Sequence, residues 1–311
     1  MCKDIFEAAE NGSVDDVRFF VEQGVDVNAK NHEGVDGGRT PLHYAVWCDS
    51  NLDVLKYLVE HGADVNAKMD GGWTPLHSVA TDDSKVDALK YLVEQGADVN
   101  AKSEGGWTAI HSVARSISNA DVLEFLIKHG ADVKVKCENG ATALHFAARY
   151  SINYNNIDMF KHLVEAGVDV HAKTDDGETV LHLSAANTDN TEVLEYLITQ
   201  GIDVNAKDNE GKTPLHWLVG NFPDLHVLKY LISKGANVNT KDNHGWTPLL
   251  WLLFTAFIDE DTKNNVVGML KYLIEQGADV NASVTPLDLA KTEEMKAVIR
   301  MAGGKSGAEM Q

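Results

Sequence analysis

The sequence predicts an all-α solenoid, built from stacked helix-turn-helix units that are joined by β-hairpin loops. Three observations predict it. First, the motif Thr-Pro-Leu-His stands at Thr40–His43, Thr74–His77 and Thr213–His216, and variants in the same frame begin at Thr108, Thr142, Thr179, Thr247 and Thr285. Second, successive threonines of this series lie 34, 34, 34, 37, 34, 34 and 38 residues apart. Third, Gly-Ala-Asp-Val-Asn-Ala-Lys keeps step with them at Gly62–Lys68 and Gly96–Lys102, with looser copies starting at Gly24, Gly130, Gly167, Gly201, Gly235 and Gly277. A fixed period of roughly 20–50 residues marks an array in which no single unit can bury its own apolar face, so neighbours must stack.

Each segment of the unit has a local cause. The threonine precedes a proline suited to the first turn of a helix, where a missing N–H costs nothing. Leu76, Val79 and Ala80 then give this short first helix one apolar stripe. A second helix follows, as in residues 88–95, with Leu89, Leu92 and Val93 at helical spacing. It stops at Gly96, where a left-handed terminating residue is favoured. The Val-Asn-Ala-Lys stretch reads as an extended arm and tight turn, which closes on a glycine two residues before the next threonine (Gly38, Gly72, Gly106, Gly140, Gly177, Gly211 and Gly245).

With these three motifs in register, the chain resembles the ankyrin-repeat family from about Asp4 to Gly304. One departure is consistent: the period is mostly 34 residues, where the family's usual unit has one fewer. The extra residue falls between the two helices, in polar stretches such as Thr81–Lys85, which implies a slightly longer inter-helix loop. The organisation expected is a single domain over 1–304. It comprises an N-terminal cap (1–30), repeats at 31–68, 69–102, 103–136, 137–173, 174–207, 208–241 and 242–281, and a C-terminal cap (282–304). Residues 305–311 are expected to form a disordered tail.

The bulk properties narrow the function. A net charge of −20 disfavours phosphate backbones and anionic membranes, since binding there rests on Lys and Arg. Cys2, Cys48 and Cys137 are too widely spaced and odd in number for a disulfide framework, which suits a reducing compartment. Residues 1–12 show no basic segment followed by an apolar one, and no apolar run reaches the length of a membrane span. The expectation is a soluble cytoplasmic protein that neither inserts into membranes nor binds nucleic acid.

Residues that could do chemistry belong to the repeated frame. His43, His77, His111, His145, His182 and His216 all occupy the fourth motif position. Stacked helices lie about 8–10 Å apart, too far for neighbouring imidazoles to share a metal at about 2.1 Å. In the family this histidine is implied to be structural, bonding near the helix start. Asp26, Asp64, Asp98, Asp132, Asp169, Asp203 and Asp279 recur in the Gly-x-Asp-Val motif and are expected along an exposed ridge, not paired in a cleft. Lys30, Lys68, Lys102, Lys136, Lys173, Lys207 and Lys241 form a ladder that could clamp an acidic partner. The plainer reading is that duplication copied it and that Asp70, Glu104, Glu138, Asp175, Asp176 and Glu210 neutralise it. No cofactor, metal or catalytic residue is expected.

The resemblance implies a protein partner on the concave face formed by the hairpins and first helices. The positions it implies include Arg39, Trp73, Trp107 and Trp246 before the threonines, and Trp47, Arg115, Tyr150 and Phe254 at the ends of first helices. Arg, Trp and Tyr are enriched at interface hot spots. The alternative for Trp73 and Trp107 is mutual packing, although the spacing of repeats allows only partial contact. Three insertions break the period: at Asn31–Gly37, around Tyr150–Asn156, and within Trp251–Val267. The last begins with Leu252, Leu253, Phe254, Phe257 and Ile258, more apolar residues than a short first helix can bury. They would give an extended helix with an exposed apolar edge, for a partner or a second copy, or a cover over the C-terminal cap. The similarity among repeats resembles ankyrin proteins of intracellular bacteria and endosymbionts, which implies a host-directed effector or adaptor delivered to a host cytoplasm. The alternatives are a structural tether or homo-oligomer through residues 251–267 and, behind it, an enzyme or small-molecule receptor using the groove.

Overall fold

The computed structural model describes residues 2–31, 37–47, 52–116, 120–150, 157–189, 191–221, 224–255, 260–282 and 284–310. The chain divides into two compact units, Met1–Ala147 with Asp158–Val168, and Ala148–Ile157 with Asp169–Gln311. Both consist of helix pairs, and all-α repeat architecture is what the motif period requires.

The first unit opens with α1 (Ile5–Asn11) and α2 (Val14–Glu22), followed by the pairs α3 (Pro41–Trp47) and α4 (Leu52–Glu60), α5 (Pro75–Val79) and α6 (Val86–Glu94), and α7 (Ala109–Ser116) and α8 (Ala120–Lys128). First helices pack in one row, α1 on α3, α3 on α5 and α5 on α7, and second helices in another, α2 on α4 and α4 on α6. Helices α9 (Ala143–Arg149) and α10 (Ile157–Glu165) follow. The second unit continues with α11 (Val180–Asn187), α12 (Thr191–Thr199), α13 (Pro214–Asn221), α14 (Leu225–Ser233), α15 (Pro248–Thr255), α16 (Glu260–Glu275), α17 (Pro286–Leu289) and α18 (Glu293–Met301).

Helix ends obey local rules. In the cap, Ser13 and Asp16 form a reciprocal capping box at the start of α2. At the end of α6 the Gly96 N–H donates to the Val93 carbonyl and the Ala97 N–H to that of Leu92. Gly96 adopts φ +89°, the left-handed region that glycine enters without strain. The aspartates of the Gly-x-Asp-Val motif are turn residues: Asp26, Asp64, Asp98, Asp132, Asp169, Asp203 and Asp279 each accept the N–H two residues on, at 2.8–2.9 Å.

The connecting arms close as turns, as where the Ser103 N–H donates to the Trp107 carbonyl at 3.0 Å. Among the described residues the only strand-type pairings are isolated bridges, Asn31 with Arg39 and Lys173 with Thr179. The pairing cannot lengthen, because the threonine that ends it already caps a helix.

Two sets of side chains wire repeat to repeat. Six of the eight motif threonines, from Thr40 to Thr213, each donate the backbone N–H to the histidine Nδ1 three residues on, at 3.1–3.2 Å. Nε2 of His43, His77, His182 and His216 then donates to a carbonyl of the next repeat, on Trp73, Trp107, Lys212 and Trp246. A carbonyl can only accept, so these imidazoles are the neutral Nε2–H tautomer. Nε2 of His111 is buried with no hydrogen-bond partner among the described residues.

Asparagines form the second set. Asn66 donates Nδ2–H to the Gly96 carbonyl and accepts the Asp98 N–H, and Asn28, Asn100, Asn205 and Asn239 make the same pair of bonds one repeat on. Lys134 and His171 hold the equivalent positions in their repeats and lack that amide. The ladder lysines were expected to be neutralised by turn carboxylates. Instead Lys30, Lys68, Lys173 and Lys207 each donate to the carbonyl of the next ladder lysine at 2.8–3.5 Å, because the stem length matches the repeat spacing.

In the seventh repeat the second helix, α16, has 16 residues against nine in α14. Within α15 the Thr255 hydroxyl donates back to the Trp251 and Val219 carbonyls. Phe257 and Ile258 lie outside the described residues, as do 32–36 and 151–156 of the other two insertions. Residues 305–309, within the segment expected as a disordered tail, make hydrogen bonds. The Lys305 N–H donates to Asn281 Oδ1, and the Gly307 N–H to Asp288 Oδ2. Asp288 stands where six other repeats carry histidine, and its carboxylate accepts from the Thr285 hydroxyl.

Candidate interaction surface

The groove of the first unit is assembled from the turns and the C-terminal ends of the first helices. Trp73 and Trp107 precede their threonines on turns whose glycines force close approach. Gly72 and Gly106 have φ of +75° and +73°, and a Cβ at either would come within 3.2 Å of the next repeat's backbone. Turn therefore packs on turn, and each indole is carried toward its neighbour. The Trp73 and Trp107 ring centroids are 6.1 Å apart, and Trp107 lies 4.3 Å from Phe146. Both indoles also meet the motif histidine of their own repeat edge-on. Only partial contact was expected at these positions. The rings meet because each indole spans much of the distance between helix axes.

Both tryptophans remain partly exposed, and Trp47 at the end of α3 is 55% exposed. The Arg39 guanidinium lies 4.4 Å from the Trp47 ring, and that of Arg115 lies 5.9 Å from Trp107. Both distances fall within the range of cation–π attraction. Arg39, Trp47, Met69, Trp73, His77 and Lys85 line a cavity of about 530 Å³, together with Val46, Ser78 and Thr81. Lys85 was not among the expected contacts. It sits in the polar stretch before α6, and its Nζ reaches back to donate to the Trp47 carbonyl at 2.8 Å. Asp82 is its carboxylate neighbour at 3.7 Å. The sequence held only an indirect signal for it, a basic residue ending an otherwise acidic loop.

The second unit carries a separate aromatic cluster. Trp246 lies 5.1 Å from Phe254 and 5.7 Å from Trp251, and Phe254 is 54% exposed. The Lys212 ammonium stands 4.3 Å from the Trp251 ring. Trp217 and Trp251, 34 residues apart, repeat one contact: each indole N–H donates to a turn carboxylate, of Asp208 and Asp242 respectively, at 2.8 Å. These aspartates also accept turn N–H groups, so the tryptophans pin helix to turn. Tyr150 follows α9 and is partly exposed.

The potential chemistry is held by the frame. Burial pushes His43, His111 and His216 down to about 4, and lowers His77 and His182 as well, so that all five are neutral at pH 7. Glu178 is raised by burial, against the opposing pull of Arg149 at 3.1 Å. Among the described residues no group of three or more His, Cys, Asp or Glu could hold a metal ion, and no helix is long and apolar enough to cross a membrane.

Comparison with known proteins agrees with this wiring. The family model described as ankyrin repeats (3 copies) matches residues 5–69, 80–171 and 144–242. No curated protein matches the chain. Ankyrin repeats are in general protein–protein interaction modules. With the family model covering well over half of its residues, and with the threonine–histidine caps and turn glycines in every matched segment, the chain belongs to the ankyrin-repeat family.

Proposed function

We propose that the chain is a non-enzymatic scaffold that holds a protein partner against the turns and first helices of its early repeats, with Arg39, Trp47, Trp73, Trp107 and Arg115 as the principal contacts. The observation that carries this reading is the cavity beside Trp47 and Trp73, whose bulky aromatic lining the repeat frame does not need. The non-enzymatic part is supported by the hydrogen bonds that occupy the frame's histidines and aspartates. Trp246, Phe254 and Tyr150 are further candidates within the second unit. The repeats over 1–304 are read as one domain that acts as a binding platform, in a cytoplasm or in that of a host cell to which it is delivered. A reporter fusion that registers delivery into host cells tests the effector role.

Trp47 gives the cleanest test, because its ring is the more exposed. Immobilised wild-type chain and Trp47→Ala are compared for the proteins they capture, with circular dichroism confirming the fold. A partner held by wild type and lost by Trp47→Ala supports the reading; identical capture by both sinks it. A second reading, a tether or homo-oligomer through residues 251–267, is favoured by the exposure of Phe254. Light scattering decides it: a dimer that dissociates in Phe254→Asp supports the tether, and a monomeric wild type refutes it.

A further inference from the structure

We infer that the fourth repeat, residues 137–173, is a built-in break in cooperativity, so that the two compact units fold and unfold as separate bodies. In a repeat array, unfolding spreads from unit to unit only as far as the contacts between neighbours carry it. Directional bonds that recur from repeat to repeat supply that coupling, and a repeat that lacks them is where it fails.

Within the first unit, Asn28 and Asn66 each make the reciprocal amide pair with the following turn, as does Asn100, and His43 and His77 each reach a carbonyl of the next repeat. Within the second unit, Asn205 and Asn239 make the same pair, and His182 and His216 the same bond. Between these two runs the pattern lapses three times. Lys134 holds the asparagine position, and an ammonium cannot accept the N–H that an amide oxygen takes. Its stem lies beside Gly167, whose carbonyl an amide would meet. His171 holds the same position one repeat on, with its ring beside Gly201. Both residues donate a backbone N–H to their turn aspartate, Asp132 and Asp169 respectively, and among the described residues neither side chain adds a bond.

His111 is the third lapse. Its Nε2 is buried with no hydrogen-bond partner among the described residues, and a buried nitrogen left unpaired weakens the packing around it. Ring contact stands in for the bond: Phe146 lies edge-on to His111 at 5.5 Å and 4.3 Å from Trp107. Apolar packing holds helices together, yet it is non-directional and tolerates displacements that a hydrogen bond does not. The fourth repeat also exceeds the common period, 37 residues against 34, which adds to the chain that must be ordered there. The division of the chain into its two compact units falls within this same repeat.

Each unit has its own aromatic surface, Trp47, Trp73 and Trp107 in the first and Trp246, Trp251 and Phe254 in the second. A ligand of one surface therefore stabilises the unit that holds it and leaves the other unchanged. This holds whichever partner binds.

Hydrogen-exchange pulses along a urea titration of the full chain, read peptide by peptide by mass spectrometry, test the break. Asn66→Ala perturbs the first unit and Asn205→Ala the second. At a fixed urea concentration, Asn66→Ala is expected to raise the unfolded-to-folded ratio of peptides from residues 41–128 about tenfold. The ratio for peptides from 180–233 should change by less than about twofold. Asn205→Ala should do the reverse. In a chain that also carries Lys134→Asn and His171→Asn, either alanine variant should shift both sets, because the amide pairs then run on without a gap. Equal shifts in both sets, with the native residues at 134 and 171, overturn the break. A separation that persists undiminished in the doubly repaired chain also overturns it, since the missing amides are then not the cause. Circular dichroism before the titration identifies any variant that fails to fold, and the two alanine variants check one another.

Discussion

Acidification from about pH 7.5 to about pH 5 should remove a large part of the fold's stability through the buried histidines. His43, His111 and His216 are pushed down to about 4 by burial, against an ordinary value near 6.5. In the folded state Nδ1 must accept the threonine N–H, and a proton there would set two donors against each other. A base whose folded pKa lies below its unfolded one binds more protons when unfolded. Its stabilising contribution is therefore complete above about 6.5 and is lost as pH falls from there towards 4. At pH 5 each such histidine forfeits about 2 kcal/mol by linkage, so the three together forfeit about 6 kcal/mol. His77 and His182 add to this in the same direction. Domains are commonly stable by about 5–15 kcal/mol, so the loss would be visible in a urea titration followed by circular dichroism. Carboxylates of ordinary pKa remain mostly ionised at pH 5, which separates the histidine contribution from general acid unfolding. Stability at pH 5 within about 1 kcal/mol of that at pH 7.5 would refute the reasoning. So would imidazole resonances of these residues titrating near 6.5 in the folded chain.

Three further outcomes follow from the wiring. Asn66→Ala removes two inter-repeat hydrogen bonds and should cost about 1–3 kcal/mol in urea unfolding, whereas Lys134→Asn, which supplies a missing amide, should add about 1 kcal/mol. Gly96→Ala forces a side chain into φ +89°; with no atom within 4 Å of the new Cβ, the cost should be the conformational one alone, about 1 kcal/mol by calorimetry. Trp217→Phe keeps an aromatic ring but leaves Asp208 without its indole donor, and should lower stability by about 1–2 kcal/mol, with Trp251→Phe doing the same at Asp242.

The frame was readable because its causes are local. Thr74 and His77 need only their own turn to form a cap, and Gly96 needs only the end of its own helix, so each motif stated its role in a few consecutive residues. Contacts that cross between repeats were harder. The sequence puts Lys68 beside Asp70, two residues away, whereas its ammonium reaches a carbonyl one repeat on. For Trp73 and Trp107 the distance between helix axes leaves out the reach of an indole and the close turns that Gly72 and Gly106 permit. Lys85 was invisible as a contact, because the cavity it lines exists only once α3 and α5 lie side by side.

The asparagine bonds bear on how such a chain can change length. Each is a head-to-tail contact between equivalent turns of adjacent units, an amide of one meeting a carbonyl and an N–H of the next, so the two halves sit on opposite faces of the same unit. A unit duplicated or deleted whole creates a junction that already has both halves, and the array can grow or shrink without inventing a contact. The last described helix pair is joined by the same kind of bonds: the Asn281 side chain donates to the Gly303 carbonyl and accepts the Lys305 N–H. Lys134 and His171 are the two places where a copied junction would be born incomplete. Recombination that fuses units at those residues would carry the defect into the new array, whereas fusion at Asn66 or Asn205 would not.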